Sequence, residues 1–388
     1  MTTTPELTLA DRSGMRLTRG GLRRAGARGG TVVVYAVLPA LLLIVMVGAS
    51  INNHFAFDFH QFWQGGRDVL AGHSPYPPSG SLPTDGDPSL GPAQIQDVFR
   101  FPYPAPAALA MIPFAALPFT LAASLFILLS TGAIFLALRL LGVIDWRCYG
   151  LVCASIVTLG SLRLGTFTPL LLLGLAAAWR FRARPWVAGP VVAALLVAKL
   201  FLWPLLVWFL VTRRPGTAAI TLAVAATATL ASWATLGFAG FANYPDFLST
   251  LAASVQAKGW STIALGLSLG LSSAAAKVLS LALGLSVLAV AALAPPGKRD
   301  LWAFTLAIAA AILLSPIVWL HYFLLLAAPL AIAFPRLGPA WFLPLVFWAW
   351  PFQETGGAVW KIALGMAGLA AMTAAILSSA TQRRPSWK

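Results

Sequence analysis

The sequence predicts an all-α polytopic membrane protein, a bundle of about twelve spans with a large outer loop after the first. Three observations carry that expectation. Hydrophobic residues make up 59% of the 388, with a mean hydropathy of +0.83, far outside the soluble range. Apolar runs approaching the ~20 residues that cross a bilayer recur along the chain, several back to back. Basic residues, finally, gather on alternate turns, so the net charge of +15 reads as topology rather than as a nucleic-acid-binding surface.

Taken in order, residues 1–30 are polar, Gly-rich and basic, with Arg12, Arg16, Arg19, Arg23, Arg24 and Arg28. They read as a disordered cytoplasmic tail that fixes the N-terminus inside. The first span, 31–51, is too long for a cleaved signal peptide and lacks a small-residue cleavage site. Residues 52–120 form the outer loop: a short helix, a Pro-, Gly- and Ser-rich stretch at 74–92, and an apolar helix. Pro113 and Pro118 interrupt that helix before it could span, which predicts an interfacial or re-entrant segment.

Further spans are expected at about 121–141, 148–162, 168–180, 186–198, 200–212, 216–236, 274–294, 300–314, 318–334, 340–352 and 357–378. The pair 186–198 and 200–212 is short and reads as broken helices. The transmembrane domain thus covers 31–380, with a second outer loop at 237–273 and a cytoplasmic tail at 381–388. From an N-in start, the inner turns hold Arg139, Arg147, Arg180, Arg182, Arg184, Arg213, Arg214, Lys298, Arg299, Arg336, Arg383, Arg384 and Lys388. Asp58, Asp68, Asp85, Asp87, Asp97, Asp246 and Glu354 fall outside, as the positive-inside rule requires. Cys148 and Cys153, close together on one apolar segment, read as packing thiols.

The stretch from Asp58 to Tyr76 stands apart. Only 10% of residues are charged, yet Asp58, Arg67 and Asp68 fall here with His60 and His73, just after the first span. An apolar chain keeps such groups at a membrane face only if they are wet, paired or functional. Topology leaves a set of polar residues on the outer side: Asp58, His60, Arg67, Asp68, Arg100, Tyr103, Arg163, Lys199, Asp246, Lys258 and His321. Cations on an outer, lipid-adjacent face suit a lipid phosphate, and one carboxylate among them suits a general base. Sugar transfer from a lipid phosphate needs that combination: the leaving group is already an anion, so cations stabilise it without a protonating acid. Glycoside hydrolysis usually needs two carboxylates. In-line attack by one activated hydroxyl inverts the anomeric carbon. No cofactor is expected; zinc-type ligand spacing is absent, and a divalent ion at Asp58 stays open. Plainer readings stand beside these. Asp58 would N-cap a helix beginning at Phe59, His321 would be a packing histidine, Lys199 would snorkel, and Arg67 and Asp68 would make helix-surface contacts.

Asp58-Phe59, Gly66, Gly72 and Pro75-Tyr76, then Phe101-Pro102-Tyr103-Pro104-Ala105-Pro106 with Pro113 and Pro118, then Ser315-Pro316, Trp319 and His321-Tyr322 resemble glycosyltransferase family 87. The resemblance runs in the same order from about 50 to 335. It implies a GT-C-like fold and an α-mannosyltransferase fed by polyprenyl-phosphate mannose. It further implies an Asp after the first span as catalytic base, here Asp58, and a His at the outer end of a late span, here His321. Cations near the donor phosphate are implied too, and Arg163 and Lys199 fit by position. His60, Arg67, Arg100, Tyr103, Asp246 and Lys258 are candidate substrate contacts. The expected partners are a polyprenyl-phosphate sugar, a lipid-anchored or glycan acceptor and membrane lipids, with no nucleic acid. The expected location is the cytoplasmic membrane, multi-pass, both termini inside and the site on the outer face. One departure matters: where family members often carry a Gly-Gln-x-Asn-like stretch, this chain has Gly165-Thr166-Phe167-Thr168. Acceptor and sugar therefore stay open, an arabinosyl or other pentosyl or hexosyl donor included. So do a transporter or flippase of a lipid-linked sugar, and a structural subunit that would tolerate Asp58→Asn.

Overall fold

The computed structural model describes residues 29–50, 55–76, 101–349 and 356–379. The two tails, most of the Pro-rich stretch, Arg100, Asp85, Asp87, Asp97 and Glu354 lie outside the described residues.

A π-helical turn, Val33–Val37, runs into α1 (Leu38–Ser50), and α2 (Phe57–Leu70) follows. The apolar segment with two prolines is a pair of short helices, α3 (Ala105–Ala110) and α4 (Ile112–Ala115), each started by a proline in its first turn, where the missing N–H costs no hydrogen bond. Next come α5 (Phe119–Leu140), α6 (Trp146–Ala154), α7 (Ile156–Leu164) and α8 (Thr168–Arg180). Then α9 (Pro185–Ala198), α10 (Leu205–Val211) and α11 (Pro215–Thr235) lead to the second loop. That loop is largely helical: α12 (Tyr244–Val255) and α13 (Thr262–Ser268), the latter capped by the Ser261 hydroxyl on the Ala264 amide at 3.1 Å. The chain closes with α14 (Ser273–Ala292), α15 (Arg299–Leu314), α16 (Ala327–Ala333) and α17 (Val359–Ser378). Among the described residues every regular element is helical, as expected.

Five helices among the described residues are long and apolar enough to cross a membrane: Gly29–Met46, Phe119–Leu140, Pro215–Thr235, Ser273–Ala292 and Val359–Ser378. Helices α7 and α8 make a sixth only if counted together across a 117° bend. The expected count of about twelve is thus not confirmed, because apolar runs that read as spans are interrupted. The run 148–162 breaks at Ser155 (ψ 134°) into two nine-residue helices. Each rises about 14 Å, half of a ~30 Å bilayer core. The short runs 186–198 and 200–212 are broken at Lys199 as expected, and the runs at 318–334 and 340–352 are partly 3-10 helix, over Leu320–Leu326 and Pro339–Ala349. Hydropathy counts apolar side chains; it does not register where the backbone leaves helical geometry.

Helices α9, α10 and α15 run between two polar clusters. At one end Asp300 accepts both Arg214 Nη atoms at 2.6 and 2.8 Å, Arg182 Nε at 3.3 Å and the Trp208 indole at 3.3 Å. Arg182 also lies over the Trp179 ring at 4.2 Å. At the other end Lys199 follows α9 and Ser315 follows α15. The 16 residues of α15 rise about 24 Å, roughly a bilayer core. Lys199 is therefore at the opposite end of these helices from Arg182 and Arg214.

Candidate active site

Helix α2 carries the carboxylate. It opens at Phe57 because Ala56 turns left-handed (φ 51°), its amide donating to the Arg163 carbonyl at 3.0 Å. Ala56 occupies the N-cap position without a side-chain cap bond, and Asp58 is the second helical residue. The capping reading of Asp58 is therefore not met. The rotation of α2 follows from its back face, where Phe59, Phe62, Trp63, Gly65 and Gly66 are buried. The Trp63 indole donates to the Leu117 carbonyl at 3.0 Å. A Cβ on Gly66 would sit 2.9 Å from that of Ala115, and one on Gly65 would fall on the Phe101 ring. Gly165, at φ +66°, closes α7 in the left-handed region with Phe59 Cβ only 2.6 Å from where its own Cβ would be. Locked from behind in this way, α2 presents Phe57, Asp58 and Gln61 toward a cavity.

The cation comes from a broken helix. Helix α9 ends at Ala198, Lys199 is extended (φ −149°, ψ 100°), and a 3-10 turn, Leu200–Leu202, resumes the chain. A second interruption, residues 315–319, separates α15 from the 3-10 segment Leu320–Leu326 that bears Tyr322. Lys199 Nζ donates to Tyr322 Oη at 3.0 Å. It lies 4.5 Å from the Tyr103 ring centre and 5.2 Å from that of Tyr322, contacts that strengthen where water is excluded. Tyr322 is itself stacked on Phe201, at 4.8 Å and 6° between planes.

These parts enclose a cavity of about 500 Å³. Its polar lining includes Asp58, Gln61, Tyr103, Lys199, Ser315 and Tyr322. Leu248, Leu251, Ala252 and Val255 of α12 form an apolar wall at one-face helical spacing. Among the described residues lining it, Asp58 and Lys199 are the charged ones. Burial first, then the Asp58 carboxylate, push the Tyr103 hydroxyl well above the usual tyrosine range, so it stays protonated and able to donate. The cavity thus offers a carboxylate, a cation, neutral hydrogen-bonding groups and an apolar flank.

Of the sequence-predicted residues, the structure brings Asp58, Tyr103 and Lys199 together. His321 does not line the cavity: it is buried, 2% exposed, with its ring edge-on to Tyr322 at 5.0 Å. Arg163 lies behind the start of α2, its buried Nε without a hydrogen-bond partner among the described residues. His60 packs on Phe119, Arg67 covers the Trp63 ring at 4.8 Å, and Asp68 accepts from Gln64. Asp246 and Lys258 are exposed at either end of α12 and its following turn. Among the described residues no three His, Cys, Asp or Glu side chains gather to hold a metal ion. The sequence reading missed Gln61 and Tyr322. Gln61 was accessible as the residue one helical turn after Asp58, whereas Tyr322 joins Lys199 only through the fold.

The model for glycosyltransferase family 87 matches residues 101–320. That stretch holds Tyr103, Arg163 and Lys199, begins after Asp58 and ends one residue before His321. No curated protein and no solved structure matches the chain. With its match covering more than half of the sequence and its several membrane-length apolar helices, the chain belongs to glycosyltransferase family 87 and is a membrane glycosyltransferase.

Proposed function

We propose that the protein transfers a hexose, mannose in the leading reading, from a polyprenyl-phosphate donor to a hydroxyl of a lipid-linked or glycan acceptor. Transfer takes place with inversion, at the outer face of the cytoplasmic membrane. The observation that carries this reading is that Asp58 and Lys199, remote in sequence, line one largely apolar cavity. Asp58 takes the proton of the acceptor hydroxyl as its oxygen forms a bond to the anomeric carbon. The bond from that carbon to the phosphate oxygen breaks on the opposite side, and its electrons leave with the lipid phosphate. Lys199, held by Tyr103 and Tyr322, meets the growing negative charge, and Arg163 adds a second positive charge nearby. His321, packed behind Tyr322, acts as a positioning residue. The face of α12 receives the lipid portion.

The test is transfer of labelled mannose from polyprenyl-phosphate mannose to membrane lipid extracts, with wild type and Asp58→Asn compared at equal folded protein. The expected result is product with wild type and a loss of at least ~100-fold in the variant, with donor still bound. Equal transfer by both would remove Asp58 from the chemistry. Transfer from a pentosyl donor alone would replace mannose with that sugar.

A further inference from the structure

We propose that Gln61 is a specificity-determining residue whose carboxamide binds a pair of neighbouring hydroxyls on the transferred sugar. The inference rests on the reading above and deepens it. Asp58 and Gln61 both line the cavity and lie three residues apart on α2, so their Cβ atoms are about 5–6 Å apart, comparable to the width of one sugar ring. A group held by Gln61 therefore stands beside the oxygen that Asp58 activates, where the transferred ring has to be. No described residue hydrogen-bonds the Gln61 amide, although its neighbour Gln64 is paired with Asp68 at 2.9 Å. An uncharged amide left open in a cavity wall is poorly suited to a phosphate, which only accepts, or to a lipid tail, which does neither. One donor and one acceptor side by side match adjacent sugar hydroxyls, each of which does both. The backing of α2 by Trp63, Gly65 and Gly66 fixes the helix face from which this side chain leaves.

The experiment compares binding of farnesyl-phosphate mannose and of bare farnesyl phosphate to the full-length protein in lipid nanodiscs. The wild type, Gln61→Leu and Gln61→Asn are measured, the bare phosphate serving as the control for an intact site. The expected result for Gln61→Leu is roughly five- to tenfold weaker binding of the sugar-bearing ligand, with bare farnesyl phosphate bound as in wild type. Gln61→Asn, which keeps an amide but withdraws it by one methylene, falls between. Analogues lacking one ring hydroxyl should identify the partner as the hydroxyl whose removal weakens the wild type but not Gln61→Leu. Equal weakening of both ligands, or no change in either, overturns the inference while leaving the donor reading intact. Binding of neither ligand by the wild type overturns the lipid-phosphate reading, and this inference with it.

Discussion

Lys199 Nζ and Tyr322 Oη, 123 positions apart in the chain, are 3.0 Å apart in the structure. The two interruptions that make this possible, at Lys199 and at 315–319, are the places where apolar helices stop short. A lysine inside a continuous helix would spend its length snorkelling to the interface; here an extended backbone and the rings of Tyr103 and Tyr322, the latter stacked on Phe201, hold it at the cavity wall.

Tyr322→Phe keeps the ring stacked on Phe201 and deletes the hydroxyl that accepts from Lys199. The expected outcome is an unchanged thermal midpoint and a donor KM raised by roughly five- to tenfold, the loss of one charge-assisted hydrogen bond. Lys199→Met should cost more, roughly 100-fold in kcat/KM, because the charge itself is gone. Steady-state transfer kinetics over a range of donor concentrations distinguish the two.

Gly65→Ala should damage both fold and activity. The added Cβ falls on Phe101, so α2 has to shift, at a cost of about 1–3 kcal/mol and with Asp58 displaced. Gly132→Ala in α5 is the control: a Cβ there meets nothing within 4 Å, and stability should hold or rise slightly. Unfolding midpoints of the two variants in detergent check this; equal midpoints would show that α2 is not locked as described.

Asp300→Asn leaves Arg214 and Arg182 without their shared carboxylate. About a quarter of the Asp300 side chain is exposed, so the loss should be roughly 2 kcal/mol, below that of a fully buried pair. The cluster lies at the far end of α9 and α15 from the cavity, so donor KM should be unchanged at temperatures where the protein stays folded. Thermal unfolding and donor titration measured together test the separation.

Asp145 supplies a pH dependence. The Arg147 side-chain hydrogen bond lowers its carboxyl from 3.8 to about 2, against burial and with help from the Arg147 and Leu337 amides. A carboxyl whose folded value lies below its unfolded one stabilises above the unfolded value, and that contribution fades as pH falls toward the folded one. The stability gap between wild type and Asp145→Asn should therefore be full at neutral pH and close between about pH 4 and 2. The gap is modest because the Arg147 side chain is 41% exposed and water screens the pair. Unfolding midpoints measured down that range give the sign.

The candidate site was only partly legible in the sequence. Asp58 stood out because ionisable groups are scarce in this chain, and Lys199 because it separates two short apolar runs. His321 stood out for the same reason, yet the structure places it behind Tyr322 rather than on the cavity. Arg67 and His60, equally conspicuous, turn to aromatic neighbours on other faces of α2. Scarcity identifies a polar residue worth explaining but does not say which way its helix is rotated.

Composition and the spacing of apolar runs determined by themselves that this protein is helical and membrane-bound, since a bilayer core accepts backbone only when its hydrogen bonds are satisfied internally. The order of charges along the chain also anticipated that Lys199 and the arginines of the Asp300 cluster lie at opposite ends of the same helices. Tertiary structure alone decided that the run 148–162 breaks at Ser155 into two short helices, whereas Lys199 and residues 315–319 already separated apolar runs in the sequence. It alone decided that Gln61 and Tyr322 share a cavity with Asp58 and Lys199. Hydrophobicity is a sum over residues, whereas the rotation of α2 and the meeting of two broken helices are set by packing, by the room a glycine leaves and the ring that fills it.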